Sequence, residues 1–159
     1  MPAQRLKKFL DDNMVAYTVI EHPATFTSQE TAASAHVHGR NFAKTVMVTV
    51  GGELAMVVLP AHRKLYLERL RKLTGRWDVE LATERQFKDA FPDCEVGAMP
   101  PFGQLYGMKV YVDAELAAAD SITFNAGTHD EAIQMAYLDF RRLVAPIEAD
   151  LHYQLPANA

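Results

Sequence analysis

The sequence predicts an α/β (α+β) protein of one domain, in which a mixed, mostly antiparallel sheet, curled or barrel-like, is surrounded by helices. Three observations carry this prediction. Two β-rich runs, Phe42–Val50 (FAKTVMVTV) and Glu53–Leu59 (ELAMVVL), are joined by Gly51-Gly52, the signature of a tight hairpin. Three further strand candidates follow at Met108–Val112, Ser121–Asn125 and Ala132–Tyr137. A chain of 159 residues with 49% hydrophobic content is sized for a single buried core.

From the N-terminus, Leu6, Phe9 and Leu10 recur at helical spacing between lysines, which predicts a surface helix over 2–13. Ala16–Glu21 reads as a short strand closed by His22-Pro23. Thr27 with Glu30 has capping-box spacing, so a helix is expected to begin there and to end before Gly39. After the hairpin, Leu65–Leu73 (LYLERLRKL) is helical and stops before Gly75. Thr83 with Gln86 is a second capping box, opening a helix to about Ala90 that Pro92 ends. Glycine and proline exclude a regular element from Gly97–Gly107. In Ala132–Tyr137 the side chains Ile133, Met135 and Tyr137 alternate with Gln134 and Ala136, so period two decides for strand. A closing helix is expected from Leu138 to Val144, resuming after Pro146. The domain is expected over residues 1–152, with a flexible tail at 153–159.

Several function classes drop out on composition. The first residues are amphipathic and carry acids, unlike a secretory signal, and no apolar run approaches membrane-spanning length, so a cytoplasmic protein without a membrane partner is expected. Cys94 is the only cysteine, which excludes an intrachain disulfide and a cysteine-built zinc cage. It reads as a small packing residue or, without a sequence-local base, as a poorly supported nucleophile. A net charge of −4 argues against broad wrapping of nucleic acid. No serine lies in a GxSxG elbow and no phosphate-binding glycine loop is present. His36 and His38 flank a helix end and have no HExxH companion, so no metal and no cofactor are expected.

Four features remain that bear chemistry. Lys44 interrupts an apolar strand and shares a face with Val46, Val48 and Val50. It is either an edge or snorkelling lysine or a cation at the floor of a cleft, facing a phosphate or ribose. In the loop Gly97–Gly103, Gly97, Pro100, Pro101 and Gly103 could hold backbone groups ready for a ligand, and Phe102 either stacks on a base or plugs the core. Asn125-Ala126-Gly127-Thr128-His129 follows a strand and brings together an amide, a glycine and a titratable ring. His129 either caps the next element or acts on substrate. Finally Arg63, Lys64, Arg69, Arg71 and Lys72 form a basic cluster that serves either nucleic-acid phosphates or a solvated helix face.

In order and spacing these pieces resemble the YbaK and prolyl-tRNA-synthetase-associated family of editing domains: His22-Pro23 after the first strand, Ala43-Lys44-Thr45 in an apolar strand, Gly97-x-x-Pro100-Pro101-Phe102-Gly103, and Asn125-Ala126-Gly127 before the last strand. The resemblance implies hydrolysis of an aminoacyl ester on the terminal adenosine of tRNA. Lys44 would hold the terminal phosphate or ribose, and Thr45 would line the site beside it. Backbone groups of the Gly97–Gly103 loop and of Ala126-Gly127 would hold the ester carbonyl and a water, and His129 would assist or shape the pocket. The implied partners are aminoacyl-tRNA and, as a second candidate, an aminoacyl-tRNA synthetase. Cysteine-specific relatives share Lys44-Thr45 but carry serine in place of Asn125, whereas Gly127-x-His129 is nearer to alanine-specific editors. A small amino acid of the alanine, serine or cysteine class is therefore implied. A non-catalytic binding module on the same fold is the competing reading.

Overall fold

The computed structural model describes residues 2–21 and 42–153. The predicted turn at His22-Pro23, the helix begun at Thr27, and His36 and His38 lie outside the described residues, as do 154–159.

The protein is an α+β fold built on one mostly antiparallel, curled sheet of eight strands. Helix α1 (Pro2–Asp12) precedes β1 (Tyr17–Glu21), and β2 (Phe42–Val50) forms with β3 (Glu53–Pro60) the hairpin that the sequence predicts. Gly51 and Gly52 both have positive φ, at 62° and 83°, the backbone that a two-residue turn needs to match strand twist. Helix α2 (Leu67–Thr74) starts two residues later than expected, because Leu65 pairs with His152 and Tyr66 is the N-cap. It ends on left-handed Gly75, whose N–H donates to the Arg71 carbonyl. The Thr83/Gln86 capping box is present in both directions at α3 (Glu84–Phe87), and a 3₁₀ turn at Lys88–Ala90 carries the helix to the predicted end.

β5 (Lys109–Asp113), β6 (Ser121–Asn125) and β7 (Glu131–Ala136) occupy the three later strand positions, and α5 (Tyr137–Val144) follows β7 directly. Four elements were not predicted: β4 (Val79–Leu81), a 3₁₀ turn at Gly103–Leu105 within the segment expected to hold no regular element, the one-turn helix α4 (Ala114–Ala117), and β8 (Ile147–Ala149). The last corrects the expectation of a helix resuming after Pro146. Ala145 turns left-handed at φ 50°, ends α5, and redirects the chain so that β8 lies parallel to β5. Tyr153, assigned to the tail, is also held. Its N–H donates to the Lys64 carbonyl at 2.9 Å and its ring stacks on Tyr66 with centroids 4.5 Å apart.

The strand order is β1-β7-β6-β2-β3-β5-β8, with β4 added to β2. Among the described residues no ladder joins the two ends, so the sheet curls without closing into a barrel. Alternation divides β2 between two cores. Ala43 and Met47 face the main one, with Leu6, Phe102, Phe124 and Phe140, while Val46, Val48 and Val50 pack with Leu59, Leu70 and Tyr111 on the other side. A small third patch, Phe42 with Ala61 and Ala132, adjoins β1.

One edge of β2 pairs with β3 throughout. The other edge is shared: Phe42 and Ala43 run parallel to Thr123 and Phe124 of β6, and Val48–Val50 run antiparallel to β4, with Ala82 N–H reaching the Met47 carbonyl. Between these ladders β2 passes a fork in the sheet. Forks of this kind leave room for a ligand beside strand ends.

Candidate active site

Lys44 sits at that fork, on a central strand, so the edge-strand reading does not apply. Its backbone is fixed opposite Leu59. One residue past the pairing of Phe42 with Thr123 and Ala43 with Phe124, where the two strands part, Lys44 and Asn125 lie on the same face of the sheet. Its side chain is half-buried, and burial first and the neighbouring Lys64 second pull the ammonium below the ordinary lysine value. Among the described residues no carboxylate pairs with it. A cation kept beside another cation without a counter-charge favours an anion supplied from outside.

The two predicted loops meet. Gly127 N–H donates to the Ala98 carbonyl and Glu95 N–H to the Gly127 carbonyl, both at 2.8 Å. His129 ties them further: its backbone N–H donates to Glu95 Oε1, and ring Nε2 lies 2.8 Å from the Val96 carbonyl. A carbonyl only accepts, so Nε2 carries the proton there, and Nδ1 is the ring atom left to accept one. Gly97, at φ 87°, lies under the ring, where an added Cβ would come within 3.3 Å of His129 Cε1.

This arrangement corrects part of the backbone role expected for these loops. The Ala126 and Gly127 amides already donate to Glu131 and Ala98. Gly97 N–H donates to the Met99 sulfur at 3.2 Å, a weak acceptor, and so remains able to donate to a stronger one. The second half of the loop points inward. Pro100, Pro101, Phe102 and Gly103 are all buried. The Phe102 ring, fully buried against Phe9, Phe124 and Phe140, plugs the core and is no stacking platform. At Gly103 a Cβ would stand 2.3 Å from the Met108 carbonyl, so a close chain approach requires glycine there.

Residues 22–143 match the model of the aminoacyl-tRNA editing domain. The chain belongs to the aminoacyl-tRNA editing domain family. It is 30% identical over 142 residues to a proline–tRNA ligase of Nitratidesulfovibrio vulgaris, covering 82% of this chain and 24% of that protein, so it spans about a quarter of the length of the curated relatives it matches. Among solved structures it resembles a candidate trans-editing enzyme for prolyl-tRNA synthetase, with TM-score 0.83, 20% identity and coverage of 96% and 98% of the two chains. It also resembles the hypothetical protein APE2540, with TM-score 0.84, 18% identity and coverage of 94% and 100%. At these identities the likeness is one of fold.

Around this editing domain the basic cluster is largely neutralised. Arg63 pairs with Glu115 at 2.9 Å, Arg69 with Asp150 at 2.9 Å, and Arg71 with Glu68 at 2.5 Å. Lys64 and Lys72 have no such acid among the described residues. Cys94 is half-buried against the main core beside Tyr106 and Asp93, and burial pushes its thiol up to about 11, which leaves it a packing residue.

Sequence reasoning missed a buried carboxylate. Asp113 caps α4 through Glu115 N–H at 3.1 Å and accepts from Leu151 N–H at 2.8 Å, with His152 Nδ1 at 2.9 Å. With Asp150 these residues have the donor types of a metal site, but the Asp113 oxygens are engaged in bracing the C-terminal segment. The only local signal was an aspartate before a short helix-forming run, the N-cap pattern.

Proposed function

We propose that this protein is a trans-editing aminoacyl-tRNA deacylase, acting in the cytoplasm, that hydrolyses the ester of mischarged tRNA carrying a small amino acid of the alanine, serine or cysteine class. The observation that carries this reading is Lys44: a half-buried cation at the fork of the sheet, on the same face as Asn125 and without a carboxylate partner among the described residues. Lys44 holds the phosphate or ribose of the terminal nucleotide. A water attacks the ester carbonyl carbon, the bond from that carbon to the ribose oxygen breaks, and the water's proton passes to the ribose oxygen. Amino acid and tRNA with a free terminal hydroxyl leave. The tRNA's own neighbouring hydroxyl or the substrate side chain assists the proton transfer, consistent with a raised Cys94 thiol and no serine elbow. Gly97 N–H and His129 shape the space around the ester, whereas Thr45, one residue on from Lys44 in an alternating strand, lies on the opposite face with Ala43 and Met47. A prolyl-tRNA synthetase is the natural partner, since the sequence relative is a proline–tRNA ligase.

The test is a time course of ester loss from pre-charged Ala-, Ser- and Cys-tRNA. Lys44→Ala should reduce kcat/KM by roughly 100-fold or more, the order of one preorganised electrostatic contact, with an unchanged melting temperature. Lys44→Arg should recover little, because a planar guanidinium aims its donors differently. Wild-type rates in a folded Lys44→Ala protein overturn the mechanism. A wild-type protein that binds these tRNAs without turnover makes it a binding module.

A further inference from the structure

Two polar side-chain atoms on the Lys44 face lack partners among the described residues. Thr123 is 0% exposed and Asn125 is 7% exposed, and neither Thr123 Oγ1 nor Asn125 Oδ1 has a hydrogen-bond partner among the described residues. A buried acceptor left unpaired is costly, and native folds keep one only for a reason. Strand register shows where these atoms point. Thr123 is beside Phe42, Asn125 is opposite Ala132, and Lys44 follows Phe42 by two residues, so all lie on one side of the sheet around the small apolar patch of Phe42, Ala61 and Ala132. The ester's acyl part, next to a phosphate held by Lys44, would enter beside Asn125, the one of these residues on β6 that keeps some exposure.

The group needed there is a hydrogen-bond donor carried by the substrate close to its side chain. An aminoacyl ester has one such group at that position, its α-amino group, which offers more than one N–H and so suits two orphan acceptors better than a hydroxyl does. We infer that Asn125, backed by Thr123, is the residue that reads the α-amino group of the aminoacyl ester, so that the site selects a free amino acid over acyl groups lacking a free amine. This rests on the proposed deacylase reading and adds a chemical requirement to it.

Binding can test this without turnover. Two acceptor-stem minihelices would end in stable 3′-amides, one alanyl and one propionyl, which differ only in the α-amino group. Wild-type protein should bind the alanyl form about 10-fold or more tightly than the propionyl form, the discrimination expected when a buried acceptor loses its donor. Asn125→Leu should erase the preference, leave propionyl binding unchanged or tighter, and keep or raise the melting temperature, because an unpaired polar atom is replaced by an apolar group of similar size. Asn125→Ser, which retains an acceptor, should keep part of the preference. Equal wild-type affinity for the two forms overturns the inference, as does a preference that survives Asn125→Leu or a Leu variant that unfolds together with a Ser variant of unchanged preference. Active deacylation with no alanyl preference removes only this inference, and alanyl preference without hydrolysis removes only the deacylase reading. Failure to bind either minihelix removes both.

Discussion

At the scale of single residues, chemistry follows from what each side chain is denied. Lys44 has no carboxylate partner among the described residues, and Cys94 is half withdrawn from solvent. Burial dominates the Cys94 thiol, with Asp93 adding to the rise and Tyr106 opposing it. Because only the thiolate reacts, a thiol held up near 11 should be alkylated slowly at pH 8, with the rate climbing as pH approaches 11. Iodoacetamide labelling of the folded protein, followed by mass spectrometry across that range, checks this. Cys94→Ala should retain deacylase activity, and a fast-labelling Cys94 whose removal abolishes turnover would restore the nucleophile reading. Lys44 was legible in the sequence because a lone charge in a β-branched strand breaks the pattern. Asn125, on the same face, was legible only as a strand end, since the parallel register that joins β2 to β6 is set by distant parts of the chain and leaves no local mark.

At the scale of elements, the hairpin, the capping boxes and the alternation in β7 were readable because each depends on contacts within a few residues. β4 and β8 were not. Each is three residues long, and each is defined by a partner strand far away in sequence, β2 and β5. The loop Gly97–Gly103 was read as one functional unit, yet it has two halves. Gly97 is exposed and lies against His129, whereas Pro100–Gly103 are buried and brace the core. This division has a measurable consequence. Gly103→Ala places a methyl carbon against the Met108 carbonyl and the Val110 side chain, neither of which can move without shifting β5, so it should destabilise the fold by about 2 kcal/mol or more. Gly97→Ala meets only one edge of a surface ring but is strained by its positive φ, and should cost about 1 kcal/mol while altering kcat/KM more than stability. Chemical denaturation of both variants together with initial rates separates the two halves; equal effects on stability and rate would merge them again.

At the scale of the whole molecule, the proposed recognition of tRNA by a chain of net charge −4 would rest on a few well-placed cations. The sequence offered five, and the fold sorts them. Arg63, Arg69 and Arg71 already hold Glu115, Asp150 and Glu68, so engaging phosphate would mean exchanging one anion for another, with little net counterion release. Lys64 and Lys72 have no such partner among the described residues, and Lys64 is close enough to Lys44 to disfavour its charge. The salt dependence of tRNA binding should therefore be shallow and carried unequally. Lys64→Ala and Lys72→Ala should each lower the slope of log K against log salt by roughly 0.7 to 0.9, whereas alanine at Arg63, Arg69 or Arg71 should change it much less. Lys64→Ala should also raise KM on every mischarged tRNA alike, because a contact to phosphate carries no information about the amino acid. Filter binding of one tRNA across a salt series, with the five variants side by side, measures this directly. Equal slope changes at all five positions would mean that the ion pairs open on binding and that the whole cluster touches the tRNA.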